Sequence, residues 1–219
     1  MINKPRIRVN KPAARSPKRP GRPRKGADSL DLEKIVTTAW AVVDRDGLTA
    51  LSTRTLAAAL NVKSPALYWY VHSKDELLSL MMEQLLQNSL DDAPPNLPWN
   101  DWLKYVAKRQ RTLLLSHRDG GMVASLASPT ERLRTQIFPR IMNPLLDAGF
   151  NPLQASAAAG ALAALVLGWV IYEQRPATRE FVETFHTPTE GFELALDNLV
   201  TGIAASASVV LGRTASPAG

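Results

Sequence analysis

The stretch Ser64-Pro65-Ala66-Leu67-Tyr68-Trp69-Tyr70 sets three aromatic side chains in a row, directly after Lys63 and ten residues beyond Arg54. On a helix consecutive side chains diverge by about 100°, so three adjacent aromatics cannot all face a core. At least one must face solvent or a partner. The first 28 residues point to the chemistry of that partner. They hold ten basic residues (Lys4, Arg6, Arg8, Lys11, Arg15, Lys18, Arg19, Arg22, Arg24 and Lys25) against Asp28 alone. The rest of the chain, with 16 basic and 19 acidic residues, is weakly negative. A mildly acidic body behind a cationic arm suits a polyanion, either nucleic acid or an anionic membrane.

Other chemistries find little support. His72, His117 and His186 lack metal-ligand spacing, no nucleophile motif accompanies them, and the chain has no cysteine. No enzyme activity, cofactor or metal site is expected. The absence of cysteine fits a reducing compartment, and no secretory signal follows the basic N-terminus, so a cytoplasmic location is expected. One segment, Ala155 to Tyr172, runs eighteen residues without a charge. Its alanines and glycines make it only moderately hydrophobic and it is barely long enough to span a bilayer, so it is read as a buried helix that packs closely.

The elements that must position the aromatic segment are all helical; no alternating strand pattern occurs. Residues 1–28, with five prolines among charges, have almost nothing to bury and read as a disordered arm. Leu32, Ile35, Val36, Ala39, Val42 and Val43 recur at helical spacing until Gly47. Ser52 can cap a short second helix ending near Asn61 and Val62. A third starts at Pro65, with Ser64 as its cap. Ser73 and Glu76 read as a capping box that opens a long fourth helix, apolar on two stripes and so packed against both neighbouring regions. The short helix, tight turn and second short helix across residues 52–70 meet the geometry of a helix-turn-helix. After the break at Asp91 to Pro98, helices are expected at Trp99–Ser116, Thr130–Ala148, Pro152–Gln174 and Glu190–Leu211, then a flexible tail over 212–219.

At these residues the chain resembles the tetracycline repressor (TetR) family. The likeness runs through Gly47-Leu48, Leu51-Ser52-Thr53-Arg54-Thr55-Leu56-Ala57, Leu60-Asn61-Val62, Pro65 to Val71, and Lys74, and Leu114-Leu115-Ser116-His117-Arg118-Asp119-Gly120 extends it into the second region. The resemblance implies an all-α protein: a three-helix helix-turn-helix DNA-binding domain (29–75) and a helical effector-binding and dimerisation domain (76–211). It implies a ligand-responsive repressor that binds a palindromic operator as a homodimer. By position, Thr53 and Arg54 would meet base or phosphate, Lys63, Ser64 and Ala66 would face the groove, and Pro65, Tyr68, Trp69 and Tyr70 would line the recognition helix. Tyr68 and Lys74 would bind phosphates. Leu67 closes the small core, and Trp69 could serve either the core or DNA.

The arm offers a second contact. Arg19-Pro20-Gly21-Arg22-Pro23-Arg24 contains a Gly-Arg-Pro core like that of AT-hooks, which lay arginines into a narrow A·T minor groove. It could equally supply only salt-sensitive, non-specific affinity. An architectural, nucleoid-type DNA-binding protein is the alternative to a repressor. For a small-molecule effector, aromatic and methionine residues are natural cavity liners. The candidates are Met82, Leu86, Trp102, Tyr105, Met122, Phe138, Met142, Trp169 and Tyr172, with Gln110, Gln136 and His117 as polar groups. The resemblance also breaks at a telling place. Ala124 stands where tetracycline repressors carry the histidine that ligates drug-bound magnesium, and Val106 and Gln110 stand where they carry drug contacts. A different, mostly apolar effector is therefore expected.

Overall fold

The computed structural model describes residues 30–214, with side chains to residue 206. The arm, with Arg19, Arg22 and Arg24, and residues 215–219 lie outside the described residues. Helices follow one another as α1 (Leu32–Asp46), α2 (Thr53–Ala59), α3 (Ser64–Leu67), α4 (Lys74–Asp91), α5 (Trp99–Leu115), α6 (Gly120–Leu126), α7 (Phe138–Asp147), α8 (Pro152–Gln174), α9 (Pro176–Glu183) and α10 (Pro188–Thr214). A 3-10 turn covers Leu48–Ala50 and a π-helical turn covers Leu133–Ile137. No strand occurs among the described residues.

The helix starts follow from their caps. Asp31 accepts from the Lys34 N–H at 2.8 Å and opens α1, which buries Ile35, Val36, Ala39, Val42 and Val43 as the spacing predicts, together with Trp40. Gly47 ends it with φ 85°, a left-handed value that suits glycine. Ser73 accepts from the Glu76 N–H at 3.0 Å, but the Glu76 carboxylate reaches the His72 N–H at 2.7 Å, not that of Ser73. The expected reciprocal box is thus half formed. Ser64 is also displaced from its expected role: it is the first residue of α3, the preceding extended residue is Lys63, and no side chain caps this start.

In the second half α8 is central, packed by α5, α6, α7 and α10. It has the length and composition to cross a membrane, yet Ala155, Ala158, Ala159, Leu162, Val166 and Val170 form a buried face inside the helical body. Its opposite face, including Leu153, Ala157, Gly160, Ala161 and Ala164, is exposed in the single chain. The α6 and α9 helices were not expected; Gly120-Gly121 and Pro176 read as punctuation. Between Thr130 and Ala148 the continuous helix gives way to the π turn. The C-terminal helix runs to Thr214, three residues into the segment read as tail.

Candidate nucleic-acid interface and internal cavity

α2 begins with a reciprocal capping box. The Ser52 hydroxyl accepts from the Thr55 N–H at 3.1 Å, and Thr55 Oγ1 accepts from the Ser52 N–H at 2.9 Å. This fixes Thr53 and Arg54 in the first turn, Arg54 exposed. Ser52→Ala should cost about 1 kcal/mol of stability, read as a melting temperature about 2–4 °C lower. An unchanged melt would show that the cap contributes nothing.

The end of α2 sets the turn. The Val62 N–H donates to the Ala57 carbonyl at 3.0 Å and the Asn61 N–H to the Ala58 carbonyl at 3.1 Å, with Asn61 at φ 53°. That is a Schellman end with asparagine in the left-handed position. The chain is thereby turned into α3 within a few residues. Leu67 is 1% exposed and closes the core, whereas Tyr68 is 47% and Trp69 69% exposed. Trp69 therefore serves the surface. The helix itself stops at Leu67, so Tyr68, Trp69 and Tyr70 stand in the turn just past it. Lys63, Pro65 and Ala66 are exposed, and Thr53, Ser64 and Tyr70 half-buried. The Lys74 ammonium is half-buried and donates to the Leu48 carbonyl at 2.9 Å.

Leu48 is held from the other side as well, its N–H donating to Asp119 Oδ2 at 2.7 Å. Asp119 belongs to the α5–α6 turn, whose other members also grip α1. Asp44 accepts from the Arg118 N–H at 3.1 Å and lies 3.0 Å from His117 Nδ1. The His117 ring stacks on Trp40 with centroids 3.9 Å apart. Gln174 at the end of α8 ties the turn down, donating to the His117 carbonyl at 2.8 Å and accepting from the Gly121 N–H at 2.9 Å. His117 is therefore a junction residue; it lines an open recess of about 350 Å³ beside Trp40, Asp44 and Gln84, not the cavity among α4 to α8.

A cavity of about 270 Å³ lies among α4, α5, α6, α7 and α8. Met82 and Leu86 enter from α4, Val106, Gln110 and Leu114 from α5, Ala124 from α6, and Phe138 and Ile141 from α7. Ala159, Leu162, Ala163, Val166 and Leu167 of α8 form one wall, and the segment Ala127 to Thr130 with Leu133 forms another. Of the expected liners, the structure brings together Met82, Leu86, Gln110 and Phe138. Trp102 is buried elsewhere, its indole N–H donating to the Ile141 carbonyl at 3.0 Å, and Tyr105 stacks beside it. Met122 and Gln136 are exposed, and Met142 is half-buried outside the cavity. Trp169 and Tyr172 line a smaller recess with His186 and α9. The α8 wall lies outside the aromatic and methionine set expected from the sequence, because space is left where side chains are small. The alanine run of α8 was the signal. Ala124 does line the cavity, and among the described residues no three His, Cys, Asp or Glu side chains converge.

Comparison with known proteins agrees with this architecture. Residues 35–81 match the family model of bacterial regulatory proteins of the tetR family, and residues 93–195 match the tetracyclin repressor-like C-terminal domain. Together these span more than half of the chain. The class G tetracycline repressor protein of Vibrio anguillarum is 31% identical over 209 residues, 83% of this chain and 97% of that protein. A singly substituted TetR from Acinetobacter baumannii AYE in complex with minocycline superposes with TM-score 0.69 at 30% identity, covering 81% of this chain and 98% of that one. BioQ with its double-stranded DNA operator superposes with TM-score 0.64 at 28% identity, covering 81% and 99%. These are regulators, not nucleoid proteins. With its helix-turn-helix at residues 52–70 and an all-helical second half around a cavity, the chain belongs to the tetR family and is a DNA-binding transcriptional regulator, not an enzyme.

Proposed function

We propose that this regulator is a cytoplasmic, ligand-responsive repressor that binds a palindromic operator as a homodimer and is released by a small, mostly apolar effector taken into the cavity. The observation that carries the DNA half of this reading is the exposure of Trp69 and Tyr68 beside Arg54 and Lys63 on the helix-turn-helix. Arg54 contacts base or phosphate, with Thr53 beside it. Lys63, Ser64 and Ala66 face the groove, and Ala66 offers an apolar contact such as a thymine methyl accepts. Pro65, Trp69 and Tyr70 complete the reading surface. Tyr68 and Lys74 take phosphates; one Lys74 donor is spent on Leu48, which aims the ammonium. A second copy of the chain covers the exposed faces of α8 and α10, and two-fold symmetry then matches a palindrome.

The effector half rests on the placement of α4. This helix supplies Met82 and Leu86 to the cavity and packs on α1. A ligand that fits one position of α4 better than another shifts the DNA-binding head by its differential affinity. In anisotropy titrations at several salt concentrations, Arg54→Ala should reduce discrimination between operator and random DNA by about tenfold or more, a loss of about 1–3 kcal/mol. Deleting residues 1–27 should weaken both and flatten the salt dependence. An unchanged salt slope would remove the arm from the interface, and unchanged discrimination would remove Arg54 from base reading.

A further inference from the structure

Among the described residues, no charged side chain stands on the cavity walls. A carboxylate or ammonium group entering it would lose hydration with nothing to replace it, so charged ligands are selected against. Polar side chains on the walls are few. Ser79 Oγ donates to the Asp75 carbonyl at 2.8 Å and accepts from the Ser128 N–H at 3.0 Å. Thr130 Oγ1 donates to Glu83 at 2.6 Å and accepts from the Leu133 N–H at 2.9 Å. Ser128 is exposed at the cavity edge. Gln110 differs from Ser79 and Thr130: the residue is 6% exposed, lines the cavity, and its side-chain amide has no hydrogen-bond partner among the described residues. The amide is not sealed off, since among the described residues only Arg109 Nε is both enclosed and unpaired; it borders the open space of the cavity, where a ligand group can complete it and an apolar ligand would strip it of water without replacement.

We infer that the effector is an uncharged, largely hydrocarbon molecule carrying one neutral oxygen function, a carbonyl or hydroxyl, and that Gln110 selects it by hydrogen bonding. This deepens the effector reading above and rests on it. Gln110 is a specificity-determining residue, and the site discriminates as buried polar groups do, by penalising ligands that leave them unsatisfied.

The test compares wild type with Gln110→Leu, which keeps the volume and removes the amide. Two isosteric pairs serve as probes: 2-acetylnaphthalene with 2-isopropenylnaphthalene, and 2-naphthalenemethanol with 2-ethylnaphthalene. The carboxylate 2-naphthoate is added as the charged member, and binding is followed by calorimetry and tryptophan fluorescence. In at least one pair, the affinity ratio of oxygenated to hydrocarbon probe should fall about tenfold or more on substitution. Naphthoate should bind wild type more weakly than every neutral probe. Ratios unchanged within about twofold, or preference for naphthoate, would overturn the role of Gln110. If the hydrocarbons bind without preference, that role falls while the effector cavity stands. Failure of every probe to bind either protein would overturn both.

Discussion

Glu173→Ala is expected to lower the unfolding free energy by about 3 kcal/mol, toward the lower end for breaking a buried pair, because it strands a guanidinium that is mostly withdrawn from water. Arg111 donates from Nε and Nη2 to the two Glu173 oxygens at 2.7 and 2.8 Å, with the side chains 13% and 12% exposed. The same guanidinium reaches Thr189 Oγ1 at 3.3 Å and lies 4.9 Å from the Phe192 ring centre, so it joins α5 to α8 and α10. The melting temperature should fall on the order of 10 °C. Removing both charges together, as Arg111→Met with Glu173→Met, should cost far less, since no uncompensated ion remains. Lys108–Glu193 makes the contrast. That pair has similar length, 2.8 Å, but about half of each side chain is in water. Glu193→Ala should cost less than about 1 kcal/mol. Equal losses for Glu173→Ala and Glu193→Ala would show that burial is not what gives the first pair its weight.

Gly120→Ala should destabilise the protein and weaken its hold on operator DNA in the same step. A β-carbon at Gly120 would overlap the Leu114 carbonyl oxygen and lie 2.9 Å from its carbon. The obstacle is backbone, which cannot rotate away, so the α5–α6 turn must shift at a cost of about 1–3 kcal/mol or more. That turn carries Asp119, which holds Leu48, and His117 and Arg118, which hold Asp44. Shifting it moves the seat of the helix-turn-helix. Thermal melts and operator titrations on the same sample would separate the outcomes: a lower melting temperature with full operator affinity would mean that the turn does not position the head.

The sequence made the head of the molecule more legible than its interior, and the reason is the range of the interactions involved. Ser52, Asn61, Ser73 and Gly47 act on neighbours within a few residues, so their caps and turns could be read locally. Even there, Glu76 chose the His72 N–H one residue beyond the expected one, a matter of side-chain reach. Three adjacent aromatics on a helix imply at least one outward ring; Tyr68 and Trp69 are exposed, although they stand in the turn past α3 and not on the helix. The cavity is different, because it is defined by what several distant helices leave unfilled. Alanines of α8 and Ala124 of α6 form its walls by being small; the alanine run is visible in the sequence, but which of its members face unfilled space depends on the other helices. His117 looked like a polar liner, but its partners, Trp40 and Asp44, are more than seventy residues away in sequence. The two unexpected helices start with glycine or proline, residues that also mark loops.

The long α4 helix packs against α1 on one side and against α5 and α6 on the other. It therefore belongs to both halves at once, and the described residues from Asp31 onward form one compact unit. This limits how the reading head can be transplanted. A piece cut at Ser73 would leave α1 without the helix it packs on, whereas the loop at Asp92 to Pro98, exposed over most of its length, offers a seam that leaves α4 whole. Hybrid regulators built by exchanging heads should keep α4 with the donor head. Their sensing half would then have to accept a foreign Met82 and Leu86 in its cavity wall, so that operator choice and ligand choice cannot be recombined with full independence.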